Sequence, residues 1–279
     1  MNCTQREKVA ERAAEKAAVA LARFVFDGLQ QNMERVRSAR AGYALLSTGC
    51  SICGSFPWED LARSFLVDQQ PDGGWSDVEE SLWCLGYLTE FDERYESEIL
   101  KGKKWLDSVR LPCGALGKSE RDRPRIPITA LASVLVPDAV GNSGLKWLED
   151  QWEADLAGST QLTYKGAFFL ISQRHDQAPD VPDLIERTIA YLCREQNDDG
   201  GFAPWKDHPV GGDPWTTGVV LWGLSKFPQR VLKDVIDRAV KWLQTNQLPN
   251  GLWPYHYLDD GSSMALIGLS SVLPILGES

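Results

Sequence analysis

An aromatic residue followed by an aliphatic one recurs six times along this 279-residue chain, beginning at Phe24, Phe65, Trp105, Trp147, Tyr191 and Trp242, with successive offsets of 41, 40, 42, 44 and 51 residues. Self-similarity at a near-constant period marks a repeat architecture and constrains the fold more than any local motif. In three copies the pair leads to a Gln, one or two Gly and a second aromatic. Phe65-Leu66 is followed by Gln70, Gly73, Gly74 and Trp75, Tyr191-Leu192 by Gln196, Gly200, Gly201 and Phe202, and Trp242-Leu243 by Gln247, Gly251, Leu252 and Trp253. Arg110 replaces the Gln in the third copy, and the first and fourth (Phe24-Val25, Trp147-Leu148) keep only the start. Each Gly is expected to break the preceding helix through a left-handed or tight turn, leaving the second aromatic just outside it.

Between copies the pattern predicts two helices per repeat. One is amphipathic and charged and leads into the aromatic pair, as over residues 95–109, 184–196 and 229–247. The other is nearly apolar, over residues 40–46, 81–88, 128–136, 164–171, 217–224 and 263–273. A helix that is apolar all round is buried, and one with a polar stripe turns that stripe to water. The apolar set is therefore inner and the charged set outer. Six outer-inner pairs predict an all-α (α/α)6 barrel, or toroid, forming a single domain over residues 1–279. An open solenoid of helical hairpins is the alternative. Closure is favoured because the inner helices lack a solvated concave face, the count is six, and neither end carries a distinctly polar capping repeat.

The formal net charge of -10 argues against a nucleic-acid or anionic-membrane surface, since both need a basic face. No run approaches the length of a transmembrane span, and residues 4–22 read as a charged amphipathic helix without a secretory signal, so a cytoplasmic location is expected. Of the six Cys, Cys50 and Cys53 form a CxxC with no second pair at zinc spacing, while Cys84 and Cys193 read as buried small hydrophobes. Only His175, His208 and His256 are present. No metal site is expected.

The stretches from Phe65-Leu66 to Trp75 and from Trp242-Leu243 to Trp253 resemble the QW repeat of triterpene cyclases and their relatives, the superfamily of squalene-hopene cyclases, class II diterpene cyclases and protein prenyltransferase β-subunits. The resemblance spans the whole chain as repeats, and it implies the toroid fold. Gly200-Gly201-Phe202-Ala203 through Asp213-Pro214-Trp215-Thr216-Thr217-Gly218 to Leu224 is similar to the squalene-hopene cyclase segment carrying the acid motif Asp-x-Asp-Asp-Thr-Ala before an apolar inner helix. On that match Asp213 takes the first Asp, Trp215 the middle one and Thr216 the last. The family's middle Asp protonates an alkene or epoxide. An indole N–H is not a strong Brønsted acid, so the standard protonation is lost at Trp215. The chain also lacks the Asp-x-Cys and downstream His of the prenyltransferase zinc site.

Other repeats offer carboxylates at the equivalent place. Asp77-Val78-Glu79-Glu80-Ser81 has the form acid-x-acid-acid-hydroxyl at the start of an inner helix, and in the last repeat Asp260, after Asp259, falls where the middle Asp falls. Clustered carboxylates in an apolar mouth repel one another, so one can stay protonated and act as an acid. Acidic residues at a helix start also serve as caps and dipole partners, which is the structural alternative for all of them. His256, between Tyr255 and Tyr257, is placed to orient Asp260 by a hydrogen bond. Trp205, Trp215, Trp253, Tyr255 and Tyr257 gather at one mouth if their loops share a side. There their π-faces can stabilise a carbocation; core packing is the alternative. Arg121, Arg123 and Arg125, with Lys118, form the one basic run and can dock a diphosphate or carboxylate, although Glu120 and Asp122 interrupt it as in a solvated loop.

These residues, taken with the resemblance, predict a terpene-cyclase-like enzyme that carries out proton-initiated cyclisation or isomerisation of a hydrophobic isoprenoid-type small molecule in an aromatic-lined cavity, with no metal or redox cofactor. Asp260 supported by His256 is the favoured acid, with Asp77, Glu79, Glu80 and Asp213 next. In the family the cavity lies between two helical domains, so a homodimer or partner protein is expected to close it here. Two other classes remain open: a non-catalytic ligand-binding or protein-interaction toroid, and an acid-base cyclase of a peptide or polyketide natural product.

Overall fold

The computed structural model of the protein describes residues 3–31, 33–49, 56–173 and 183–277; Cys50, Cys53 and His175 lie outside the described residues. Among those described there are twelve α-helices and no strand. In chain order they are α1 (Cys3–Gln30), α2 (Arg35–Ser47), α3 (Trp58–Asp68), α4 (Val78–Thr89), α5 (Asp92–Val109), α6 (Ile126–Leu135), α7 (Asn142–Ala157), α8 (Thr163–Ser172), α9 (Asp183–Glu195), α10 (Pro214–Leu224), α11 (Lys233–Asn246) and α12 (Leu258–Gly277).

The even-numbered helices touch one another in cyclic order: α2 with α4, α4 with α6, α6 with α8, α8 with α10, α10 with α12, and α12 again with α2. The odd-numbered helices pack on them, α1 on α12 and α2, α5 on α4, α7 on α6 and α8, α9 on α8, α11 on α10 and α12. Burial follows the same division. Every residue of α10 is buried except Trp215, whereas α3 buries only Leu61, Ala62 and Phe65. The tightest approach is between α10 and α12, where a Cβ on Gly218 would lie 2.2 Å from the Met264 carbonyl oxygen and one on Gly268 2.2 Å from the Gly218 carbonyl oxygen. Only glycine admits two backbones that close.

Helix α12 starts at Leu258, five residues before the expected 263, and runs to Gly277. It thereby reaches the length and apolarity of a membrane span, contrary to the sequence expectation, yet 61% of its apolar window is buried inside the fold. Its position between α10, α1 and α2 accounts for that apolarity, since an inner helix meets protein on every side.

The recurrent turn works differently from the sequence expectation. Helices α3, α5 and α11 stop at the residue before Gln69, Arg110 and Gln247, which already have extended backbones, so the Gly does not end the helix. It completes the loop four residues later, with φ of 101° at Gly73, 85° at Gly114, 95° at Gly200 and 95° at Gly251. The Gln side chain spans that loop and reaches the next outer helix. Gln69 Nε2 donates to the Gly73 and Glu98 carbonyls, Gln196 to Gly200 and Val235, and Gln247 to Gly251 and Ala13. The last of these joins α11 to α1 across 234 residues of chain.

Gly73, Gly200 and Gly251 also lie against the carbonyls of Lys101, Arg238 and Lys16 on that next helix, and Gly74 and Gly201 lie under the indoles of Trp105 and Trp242. This geometry corrects two assignments of register. Gln69, not Gln70, spans the loop to the next outer helix in the second copy, while Gln70 Nε2 donates to the Trp75 carbonyl at 3.4 Å. Gly251 meets Ala20 where Gly74 and Gly201 have an indole beside them, so the copy on α1 is centred on Ala20 and Leu21 and not on Phe24 and Val25. In the corrected register the wall residue of each copy is Leu21, Phe65, Leu106, Leu148, Leu192 or Leu243, and all six have no exposed surface.

Candidate active site

The candidate acids lie in the first turns of α4 and α12 and at the cap of α10, and a repeated hydroxyl holds the starts of four inner helices in place. Ser81, Thr129, Thr217 and Ser262 accept the backbone N–H of Trp75, Leu116, Phe202 and Trp253 at 2.9 to 3.0 Å. Each hydroxyl therefore pins the end of a turn onto the start of α4, α6, α10 or α12. The sequence carried no periodic signal for this device, since the hydroxyl lies 6, 13, 15 and 9 residues from the N–H it accepts.

Counting from those hydroxyls, Glu79, Trp215 and Asp260 occupy equivalent positions on α4, α10 and α12. Their surroundings sort the carboxylates. Asp77 and Asp213 are helix caps: Asp77 Oδ1 accepts the Glu80 N–H at 2.9 Å, and Asp213 accepts the Thr216 N–H at 2.7 Å and its hydroxyl at 2.8 Å. Glu80 bridges two segments, accepting the N–H of Val36 at 3.2 Å and of Ser76 at 3.3 Å. Asp259, fully buried, is held by the Arg37 guanidinium, whose Nε lies 3.0 and 3.2 Å from its two oxygens.

Glu79 and Asp260 converge on Arg40 of α2, which is 7% exposed. Arg40 Nη2 stands 3.0 Å from Asp260 Oδ1, as an ion pair without hydrogen-bond alignment, and Nη1 stands 3.7 Å from Glu79 Oε1. Glu79 has a second cation, Lys118 Nζ at 3.3 Å. Among the described residues Asp260 pairs with Arg40 alone, with the His256 ring nearby. Burial pushes the Asp260 carboxyl above the usual carboxylate range; Arg40 opposes the rise, the nearby charges of Asp259 and Glu79 add to it, and His256 opposes it. Burial also raises Asp213, against the hydrogen bonds from Thr216. Of the two, only Asp260 is not committed to a cap.

An aromatic shelf adjoins this cluster. Trp215 stacks on Tyr255 with ring centres 6.4 Å apart and planes 7° apart, and it takes Tyr164 edge-on at 6.0 Å and Phe168 at 5.9 Å. Tyr255 in turn packs against Gly261, the residue after Asp260. Tyr257 is half exposed and covers Arg37, whose guanidinium carbon is 4.1 Å from the ring centre.

Other residues fall elsewhere. Trp253 is fully buried and its indole N–H is committed to the Leu243 carbonyl at 2.7 Å, just as Trp75 binds the Phe65 carbonyl at 3.0 Å; it belongs to the wall and not the shelf. Trp205 is exposed and pairs with His208 at 4.3 Å. His256 is exposed and packs on Tyr255 at 4.7 Å; among the described residues it makes no hydrogen bond to Asp260, and Arg40 stands beside that carboxylate instead. Arg121 points into solvent beside Glu120, while Arg123 and Arg125 line a cavity next to Tyr164. Arg37, Arg40 and Tyr164 were missed by sequence reasoning, and Lys118, read there as part of the basic run, pairs with Glu79 instead. For Arg40 a signal existed, since it is a lone charge at the head of an apolar inner segment.

The fold is similar to that of a type II terpene cyclase of known structure. Among solved structures, the chain is similar to the type II terpene cyclase MstE from Scytonema in complex with geranylgeranyl dihydroxybenzoate, with TM-score 0.75 and 14% identity over 98% of this chain and 99% of that one. A protein from Actinoplanes is similar with TM-score 0.67 and 14% identity, over 91% and 99% of the two chains. In sequence, the chain is 22% identical over 218 residues to the drimenyl diphosphate synthase of Streptomyces showdoensis. That match takes in 68% of this chain and 40% of the length of the synthase. No family profile matches the chain.

Proposed function

We propose that the protein is a terpene-cyclase-like enzyme built on an (α/α)6 toroid with QW-type turns, and that it starts the cyclisation or isomerisation of a hydrophobic isoprenoid substrate by protonating an alkene. The cyclic contact order of the even helices and the Gln247 to Ala13 bond support the toroid. The observation that carries the acid assignment is the pairing of Asp260 and Glu79 on one buried arginine, with Glu79 additionally neutralised by Lys118. Two carboxylates sharing one cation do not both ionise freely, and the one with less compensation and more burial holds its proton to higher pH than an ordinary carboxylate. That one is Asp260. The Trp215–Tyr255–Tyr164 shelf beside it presents π-faces to the positive charge that protonation creates. The geranylgeranyl dihydroxybenzoate substrate of MstE and the drimenyl diphosphate for which the Streptomyces synthase is named fit the same substrate class.

Incubation with prenyl diphosphates, free polyprenes and prenylated aromatics, followed by mass spectrometry of the products, tests the reading. Asp260→Asn is expected to lower turnover by about 10²-fold or more, the range of a lost general acid. Full turnover by Asp260→Asn would remove the assignment.

One observation favours a second reading. Trp215 stands at the position equivalent to Glu79 and Asp260, and its ring completes the shelf without offering a proton. A toroid that binds such a ligand without chemistry would show saturable binding of the same compounds and no product.

A further inference from the structure

The repeated hydroxyl fixes which side of an inner helix meets the space that the even-numbered helices enclose. Ser81, Thr129, Thr217 and Ser262 face the turn whose N–H they accept, so residues two positions before and after them point about 160° away, into that space. Before the hydroxyl these are Glu79, Pro127, Trp215 and Asp260; after it, Trp83, Leu131, Val219 and Met264. The second set is at most 3% exposed, and buried Phe168 joins it against Trp215. The enclosed space is therefore filled one turn below Asp260. A ligand at Asp260 lies across the first set and not beneath it.

That first set governs where a proton can leave as well as where one can enter. Protonating an alkene makes a carbocation, and an isomeric product requires that cation to lose a proton from a neighbouring carbon. Pro127 has no basic atom, and the Trp215 indole is a donor without an acceptor. Tyr164 and Tyr255, beside Trp215, are phenols that burial holds above their usual range, so both stay neutral. Asp213 gives one oxygen to the Thr216 N–H and the other to its hydroxyl. His256 is exposed and packs on the Tyr255 ring. Glu79 remains. Arg40 Nη1 at 3.7 Å and Lys118 Nζ at 3.3 Å favour its carboxylate form. Its side chain also reaches the mouth, being 23% exposed against 18% for Asp260.

We propose that Glu79 is the catalytic base that ends the reaction which Asp260 begins, the two carboxyls acting from α4 and α12 on either side of Arg40 in α2. The proposal rests on the enzymatic reading above. The Asp260 O–H proton and the alkene π pair form the new C–H bond, which leaves Asp260 as a carboxylate. A C–H bond next to the cationic carbon then gives its proton to Glu79, and its electron pair becomes the new C=C bond. The product is an isomer of the substrate. Arg40 stays protonated throughout, so the cluster carries the same net charge before and after. While the carbocation exists both carboxylates are ionised beside it, which stabilises the positive charge. After the product leaves, water at the mouth returns the proton from Glu79 to Asp260, since both side chains are partly exposed.

Gas chromatography and mass spectrometry of the products, with the full chain, a substrate it turns over and each variant at its own optimal pH, test the assignment. Glu79→Gln is expected to go on consuming the substrate, with the parent's isomer falling about tenfold or more relative to other alkene isomers and water adducts, as for a lost general base. Glu79→Asp keeps a charge for Arg40 and withdraws the base by one methylene, and it is expected to shift the same ratio in the same direction by less. An unchanged isomer ratio in both variants overturns the proposal. A folded Glu79→Gln that consumes nothing at any pH also overturns it, because Glu79 would then belong to the protonation step. Failure of the acid assignment is read separately, in consumption by Asp260→Asn, and a parent protein that consumes no substrate removes both.

Discussion

Asp260 owes its proposed role to what surrounds it and not to its own chemistry. Asp77, Asp213, Glu80 and Asp259 are equally acidic side chains near inner-helix starts, but each is consumed by a cap, a bridge or a guanidinium. If protonated Asp260 is the donor, turnover falls as pH rises through its raised pKa, and the basic limb of the pH–rate profile lies above the ordinary carboxylate value of about 4. Glu79→Gln removes a negative charge that raises this pKa, so the limb should move to lower pH; an unmoved limb counts against the coupling. The same shift has a stability consequence. A carboxyl whose folded pKa exceeds its unfolded one binds protons more tightly when folded, so it favours the native state below the unfolded value and that contribution is lost as pH climbs through the folded one. Melting temperatures of Asp260→Asn and the parent protein should therefore differ in their pH slope across this window, the variant being the flatter. The acids themselves were legible as candidates from their spacing alone. Which of them is paired was not, because Arg37 and Arg40 approach across 222 and 220 residues of chain.

At the scale of the element, the recurrent turn is a clamp between successive outer helices. Its parts have separable costs. Thr217→Val removes the acceptor for the buried Phe202 N–H and is expected to destabilise by about 1–3 kcal/mol, the cost of an unsatisfied buried group. Gly200→Ala meets a backbone at φ 95° and the Arg238 carbonyl at 2.7 Å, and should cost more than about 1 kcal/mol. Urea titration measures both. Gly218→Ala tests packing against function, because a methyl group there collides with the Met264 backbone and forces α10 from α12. A loss of about 1–3 kcal/mol is expected, as for overpacking, together with altered tryptophan fluorescence as Trp215 shifts against Tyr255. The repeat period made six helical pairs legible because a buried wall residue must return once per hairpin. The exact register did not follow, since Phe65 mimics the aromatic before the wall position while occupying the wall itself.

Over the whole molecule, the proposed closure of the toroid rests on α1, which meets α12 and α2 and receives Gln247 from α11. Gln247→Ala removes two backbone-directed hydrogen bonds and should cost about 1–3 kcal/mol. Because one of them joins the two ends of the helix series, hydrogen exchange should speed up in α1 and α11 before it does in α4 or α6. Equal acceleration everywhere would contradict a local seam.

Periodicity, burial pattern and glycine placement were set by the amino-acid sequence, because each follows from contacts within one hairpin and its neighbour. The all-helical class and the location of the acidic starts of α4 and α12 came with them. Tertiary structure alone decided the rest: that Arg40 lies between Glu79 and Asp260, that Trp253 is wall while Trp215 is shelf, and that a cationic cavity forms in an acidic chain. These depend on side chains from helices distant in sequence meeting at the mouth. Charge pairing and desolvation act over a few ångströms in space, and no spacing along the chain encodes that distance.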